Sequence, residues 1–230
     1  MVKAIGLIMR NSQDTMTSQS PPAGAKDTAP AVAESARDRL LDAGTRLFCR
    51  YGINATGVDA IVSEAGTAKT TLYKIFGSKE GLVEAVLEGE GRRWRDWFIT
   101  SIDEGGPGPR PKLDRIFPVI KTWFADERFY GCPFINAVGE HDKNDDRMRT
   151  IAIGHKKIVL QHIQKLAGEA GAADAAGLAH QIGLLIDGAI IAAMVTRDSA
   201  VADAAEIAAR TLLDNHTHQT RKKAKPLAPV

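Results

Sequence analysis

Cys132 and His141 are the one thiol–imidazole pair close enough in sequence to suggest nucleophilic catalysis. They lie on one short helical stretch about nine residues apart, which the helical rise turns into roughly 13 Å, too far for a nucleophile and its base. His155 and His162 share a helix face but are two turns apart, and no tight His/Cys/Asp cluster accompanies them, so no metal site is expected. A third group is of another kind. The stretch "GTAKTTLYKIFGSKEGL" (residues 66–82) has no phosphate-cradling glycine loop and no metal-ligand spacing. On a helical wheel centred on Leu72, Ala68, Ile75 and Phe76 form the face expected to be buried. Thr70 and Lys74 point the other way, flanked by Thr71 and Tyr73, with Lys69 in the first turn. Small hydroxyls, a phenol and two cations on one face suit the major groove of DNA: small groups permit close approach, hydroxyls and lysines reach base edges, and cations neutralise phosphates. The chemistry on offer is recognition, with no catalytic residue and no cofactor; the bland alternative is a solvated face on a small helical bundle.

The chain that must position this face has 230 residues and a formal net charge of +2, so any affinity for nucleic acid has to come from a local patch. Its two cysteines, Cys49 and Cys132, make no disulfide framework, and a reducing cytoplasm is the expected compartment. The apolar run "LAHQIGLLIDGAIIAAMV" carries Asp187 at its middle, a costly residue at a bilayer centre, so no membrane partner is expected. Asp187 among such neighbours requires a partner or a neutral form.

Apolar residues recur three and four apart from about residue 33 onward, and no strand-like alternation persists. The pattern predicts an all-α chain of about nine helices. Residues 1–31 read as a disordered arm and 217–230 as a flexible basic tail. The first helix covers about 33–51, with Leu40, Ala43, Gly44, Leu47, Phe48 and Tyr51 on one face and Gly52 ending it. Thr56, with Asp59 three residues on, reads as the N-cap of a short second helix that Gly66 stops. The third runs to about Phe76, and a long fourth begins at Lys79. After a break at "DEGGPGPRP", further helices are predicted near 112–125, 133–142, 145–168, 174–197 and 199–215.

A short helix, a tight glycine turn and a second short helix is the helix-turn-helix arrangement. The run "LFxxYGxxATxVxxI", the "EAG" turn, "KTTLYKxF" and "SKEGL" together resemble the DNA-binding domain of the TetR family of transcriptional regulators over roughly residues 36–88. Val62, Thr67 and Ala68 depart from its usual residues, and Ala68 removes one phosphate hydrogen bond. The resemblance implies a three-helix DNA-binding domain at 32–78 and a helical ligand-binding and dimerisation bundle at 79–216. It also implies double-stranded DNA, a second copy of the chain and a small-molecule effector as partners. Carried over residue by residue, Lys69, Thr70, Thr71, Tyr73 and Lys74 are the recognition-helix contacts, and Thr56 and Lys79 touch phosphates. The implied activity is a homodimeric, ligand-responsive regulator, a repressor on a pseudo-palindromic operator. A small helical enzyme with a vestigial DNA-binding domain and a ligand-independent architectural protein are the alternatives.

Within the implied bundle, Trp97, Trp123, Phe124, Cys132, Phe134, Asn136 and Glu140 are the candidate pocket residues. Pro133 suits a first helical position, which makes Cys132 an N-cap whose thiol should have a depressed pKa. Its "GCxxxN" context is similar to that of family members that sense oxidants, which implies a sensor role; a small apolar residue at a packed helix start is the competing reading. "DAAGLAHQIGLLIDGAIIAAMV" is apolar almost all round and, with "AVADAAEIAARTLL", could supply two helices per subunit to a four-helix dimer interface.

Overall fold

A computed structural model describes residues 35–142, 144 and 146–223. The arm expected over 1–31 and the end of the basic tail lie outside the described residues. Every regular element among the described residues is helical: α1 (Ala36–Tyr51), α2 (Val58–Glu64), α3 (Lys69–Phe76), α4 (Lys79–Asp103), α5 (Pro109–Asp114), α6 (Ile116–Phe124), α7 (Pro133–Glu140), α8 (Arg147–Glu169), α9 (Ala175–Thr196) and α10 (Val201–Lys223). Arg115 alone separates α5 from α6, and counted together they give the nine helices expected. The break has a local cause. Pro118 has no N–H for the Asp114 carbonyl, so the helix restarts and Pro118 falls in the first turn of α6, where no donor is needed. α10 runs on to Lys223, past residue 216, where the sequence reading begins a tail.

The N-terminal punctuation follows the glycines and serines. Ser35 caps α1 by accepting the Asp38 amide at 3.1 Å, and Ser78 caps α4 by accepting the Gly81 amide at 3.0 Å. Gly52, Gly66 and Gly77 end the first three helices with φ of +89°, +57° and +76°, a region other residues enter at a cost. One expected cap fails. Gly57, not Thr56, precedes α2, and Thr56 is buried.

α1, α2 and α3 pack together against the start of α4 through Leu40, Ile61, Leu72 and Leu82, all fully buried. The α3 wheel is narrower than expected: Leu72 is its one buried residue, Phe76 is half-buried, and Ala68 and Ile75 are exposed. Tyr51 likewise stands exposed at the end of α1. α4 continues into a second core, where Phe98 and Ile102 meet Phe117, Ile120, Met148 and Ile163 from α6 and α8, and α9 and α10 complete the bundle.

α9 is the one helix among the described residues long and apolar enough to cross a membrane, and 39% of that window is buried. Its Asp187 has the partner it requires, an ion pair with Lys156 on α8. Gly183 lets α8 approach, since a Cβ there would lie 2.6 Å from Leu160 Cδ2.

Candidate functional site

α3 stands on the surface by a single anchor, Leu72, and what it turns outward is polar. Lys69, Thr70, Tyr73 and Lys74 are exposed and Thr71 is half-buried, so the five recognition residues picked from sequence share one helix and most of one accessible surface. Lys69 Nζ meets Asp59 Oδ1 of α2 at 2.7 Å, and that bond holds its ammonium above the ordinary lysine pKa. Both groups are solvated, so the pair is worth little and a phosphate can displace it readily. Arg39 Nε donates to the Ala65 carbonyl at 2.9 Å and Arg46 pairs with Glu64 at 3.1 Å, which fixes α2 and the turn before α3 onto α1.

The two outlying phosphate contacts fare differently. Thr56 Oγ1 points inward and donates to the Gly52 carbonyl at 2.7 Å, with Leu47 O at 3.4 Å. The hydroxyl satisfies the end of α1, not the start of α2, so the expected Thr56 cap and phosphate contact are both replaced by an internal bond. Lys79 Nζ donates to the Ile53 carbonyl at 2.6 Å. One of its donors is therefore committed to the α1–α2 loop, while an ammonium carries three.

That loop is also held from the far domain. The Glu140 carboxylate accepts the Asn54 amide at 2.8 Å, and Asn54 Nδ2 donates to the Glu140 carbonyl at 2.8 Å. A Cβ on Gly52 would lie 3.1 Å from both Glu140 carboxylate oxygens, so the clasp needs glycine there. Glu140 thus sits at the C-terminal end of α7 against the helix-turn-helix, where with Asn136, Val83 and Cys49 it lines a small cleft of its own.

The other end of α7 borders a cavity of about 280 Å³, walled mainly by carbon. Trp123, Cys132 and Phe134 line it, joined by Cys49, Trp94, His155, Lys156 and Asp187. Trp97, Phe124 and Asn136 do not. Trp97 lies edge-on to Trp94 at 6.1 Å, Phe124 packs with Phe129 at 4.9 Å, and Asn136 Nδ2 donates to the Tyr130 carbonyl at 3.3 Å. Inside, the His155 ring stacks on Phe134 at 4.0 Å and faces Arg95, whose Nη1 is 3.0 Å from its Nδ1. Gly91 makes room for that stack, since a Cβ there would lie 2.9 Å from Phe134 Cζ. Burial, reinforced by Arg95 and Lys156, drives the His155 pKa down to about 3, so the imidazole is neutral.

Cys132 is the N-cap of α7, but the depressed pKa expected of it is overturned. Burial raises it, and this outweighs the opposing pull of the Ile135 and Phe134 amides. Cys49 is pushed up to about 11, again chiefly by burial. Both thiols are protonated near neutrality, and no group of three or more potential metal ligands occurs among the described residues.

Residues 40–86 match the profile of bacterial regulatory proteins of the tetR family. The whole described fold is similar to the crystal structure of a TetR-family transcriptional regulator from Streptomyces coelicolor, with a TM-score of 0.73 and 27% identity over 79% of this chain and 96% of that one. The chain belongs to the TetR family. Among curated TetR-type relatives, an HTH-type transcriptional regulator of Mycobacterium tuberculosis is 33% identical over 104 residues, 41% of this chain and 52% of that protein. The transcriptional repressor KstR2 of Mycolicibacterium smegmatis is 36% identical over 96 residues, 40% of this chain and 44% of that one. The chain spans about half the length of these two curated relatives.

His155 gives this TetR-family chain a pH signature. A histidine with its folded pKa held below the unfolded value binds more protons when unfolded, so it costs stability as pH falls from about 6.5 toward 3. His162, also lowered by burial, acts in the same direction. Urea unfolding of wild type should show stability falling between pH 6.5 and 5, where few ordinary carboxylates titrate, and His155→Gln should flatten that part of the curve.

Proposed function

We propose that the chain is a homodimeric, ligand-responsive transcriptional regulator, a cytoplasmic repressor that reads a pseudo-palindromic duplex through α3. The observation that carries this reading is the outward polar face of α3, with Lys69, Thr70, Tyr73 and Lys74 exposed on a helix held by Leu72. Residues 32–78 are the DNA-binding unit, and 79–216 form the effector and dimer unit. Thr71 completes the reading surface, and Lys79 uses its remaining donors on the phosphate beside it. Membership of a family with named repressors such as KstR2 supports the direction of control.

A second copy of the chain is the partner that suits α9 and α10. Leu184, Ile191 and Val195 fall seven and four residues apart on one face of α9, with 73%, 40% and 72% of their surfaces exposed, and Ile207 of α10 is 69% exposed. Monomeric surfaces seldom leave such a stripe uncovered. Pairing it across a two-fold axis gives two reading heads and hence two half-sites about one helical turn apart.

Two routes connect the cavity to the reading heads. α4 passes from Ser78, beside α3, to the aromatic wall at Trp94. α7 runs from Cys132, at the cavity, to Glu140, at the α1–α2 loop. A ligand that favours one seating of α4 and α7 shifts the spacing of the two heads, and operator affinity falls through its differential binding to the two states.

Selection from a random duplex library with the purified chain should enrich a palindromic site. A Thr70→Ala/Lys74→Ala double variant should bind that site at least roughly tenfold more weakly, since each base contact is worth about 1–3 kcal/mol. Failure of the wild type to enrich any site at low or moderate salt, where phosphate contacts are strongest, would remove the reading. For the interface, sedimentation at micromolar concentration should give a dimer for wild type and a folded monomer for Val195→Glu/Ile207→Glu.

A further inference from the structure

We infer that Asp59 of α2 is a specificity-determining residue of the reading head. With Lys69 it reads one C·G base pair in each half-site, its carboxylate accepting from the cytosine N4–H while the ammonium donates to the guanine. This deepens the DNA-binding reading proposed above and rests on it. The first observation is that no contact within α2 uses the Asp59 carboxylate. No side chain caps α2, and the one side-chain partner of Asp59 among the described residues is Lys69, whose Nζ lies 2.7 Å from its Oδ1. The Asp59 side chain is 82% exposed. Glu64, at the other end of α2, is instead held by Arg46 at 3.1 Å.

The second observation is placement. Lys69 opens α3, and in a helix-turn-helix the first residues of the reading helix meet base edges. The ion pair brings the Asp59 carboxylate to the same place from α2. α2 is itself held on α1, because Arg39 Nε donates to the Ala65 carbonyl and Arg46 pairs with Glu64. The carboxylate is therefore carried to the duplex together with α3.

The third is a match of pattern. Asp59 offers an acceptor and Lys69 a donor, 2.7 Å apart. A C·G pair shows the complement on its major-groove edge: the cytosine N4–H donor, then the guanine O6 and N7 acceptors. N4 and O6 are bonded to each other and so lie about 2.9 Å apart. The carboxylate meets N4–H, and the three donors of the ammonium reach O6 and N7 while keeping Asp59. An A·T pair also sets a donor beside an acceptor, but it puts the adenine N7 lone pair against the carboxylate and the thymine methyl against the ammonium. The reversed pairs set acceptor against carboxylate and donor against ammonium. A phosphate would take Lys69 and repel Asp59, whereas the C·G edge engages both.

Selection from a random duplex library, run in parallel with the full wild-type chain and Asp59→Ala, tests this. Wild type should fix C·G at one position in each half-site. Asp59→Ala should enrich the same site but lose the preference for C·G over A·T at that position by roughly fivefold or more, the discrimination a good base contact supplies. Wild type should also bind roughly fivefold more weakly to the selected duplex with N4-methylcytosine at that position, where a methyl replaces the groove-facing N–H. Asp59→Ala should be indifferent to that methyl. Unchanged base preferences in Asp59→Ala would overturn the inference, Asp59 then only competing with phosphates for Lys69. Wild-type indifference to N4-methylcytosine at every cytosine of the site would overturn it too, and that measurement needs no variant to fold. Either result leaves the reading of DNA by α3 standing, whereas failure of wild type to enrich any site removes both.

Discussion

The Glu140–Asn54 clasp holds the α1–α2 loop between the two halves of the chain, and the placement of the reading helix follows from it. From one side the Glu140 carboxylate and carbonyl take both amide groups of Asn54. From the other, Lys79 reaches the Ile53 carbonyl, and Thr56 closes the loop onto the end of α1. α2 starts directly after this loop, and α3 after the glycine turn that follows α2, so a shift of the loop moves both. Each such hydrogen bond contributes about 0.5–1.5 kcal/mol net. Together the two to Glu140 fall in the 1–3 kcal/mol range typical of coupling between sites. That is strong enough to bias the seating of the helix-turn-helix and weak enough to be reversed.

The second constraint is the brevity of α3. At 8 residues it is far below the length at which an isolated helix persists in water. It exists because Leu72 is fully buried against α1 and α4 and because glycines with positive φ stop the chain on either side. A helix held by one residue can leave nearly all its other positions to the surface, which is what a reading head requires. The exposure of Ala68 and Ile75 follows from the same economy: the packing surface under α3 is too narrow to cover a full apolar stripe.

Much of this was legible in the sequence because it is encoded locally. Helical periodicity and the glycines at 52 and 66 each act within a few residues, and the structure follows them. Thr56 shows where local grammar stops. Its spacing to Asp59 matches a capping box, but the hydroxyl finds carbonyls at the end of α1 that only the folded turn brings near. Cys132 shows a competition of magnitudes: its N-cap position was readable, while the burial that raises its pKa is a tertiary property. The cavity was half legible for the same reason. Trp123, Cys132 and Phe134 stood out by type, whereas Trp94, His155, Lys156 and Asp187 come from α4, α8 and α9 and meet only through packing. Glu140 is a candidate by type, but its partner lies 86 residues earlier and no spacing rule links them.

The account rests on two copies of α3 lying in successive major grooves of one duplex. Dimethyl sulfate protection of the selected site by the bound chain measures this most directly, because it reports access to guanine N7 on the major-groove edge. The account predicts two symmetric protected patches about one helical turn, roughly 34–36 Å, apart. A single patch, or a footprint with the major-groove edges left open, would contradict it.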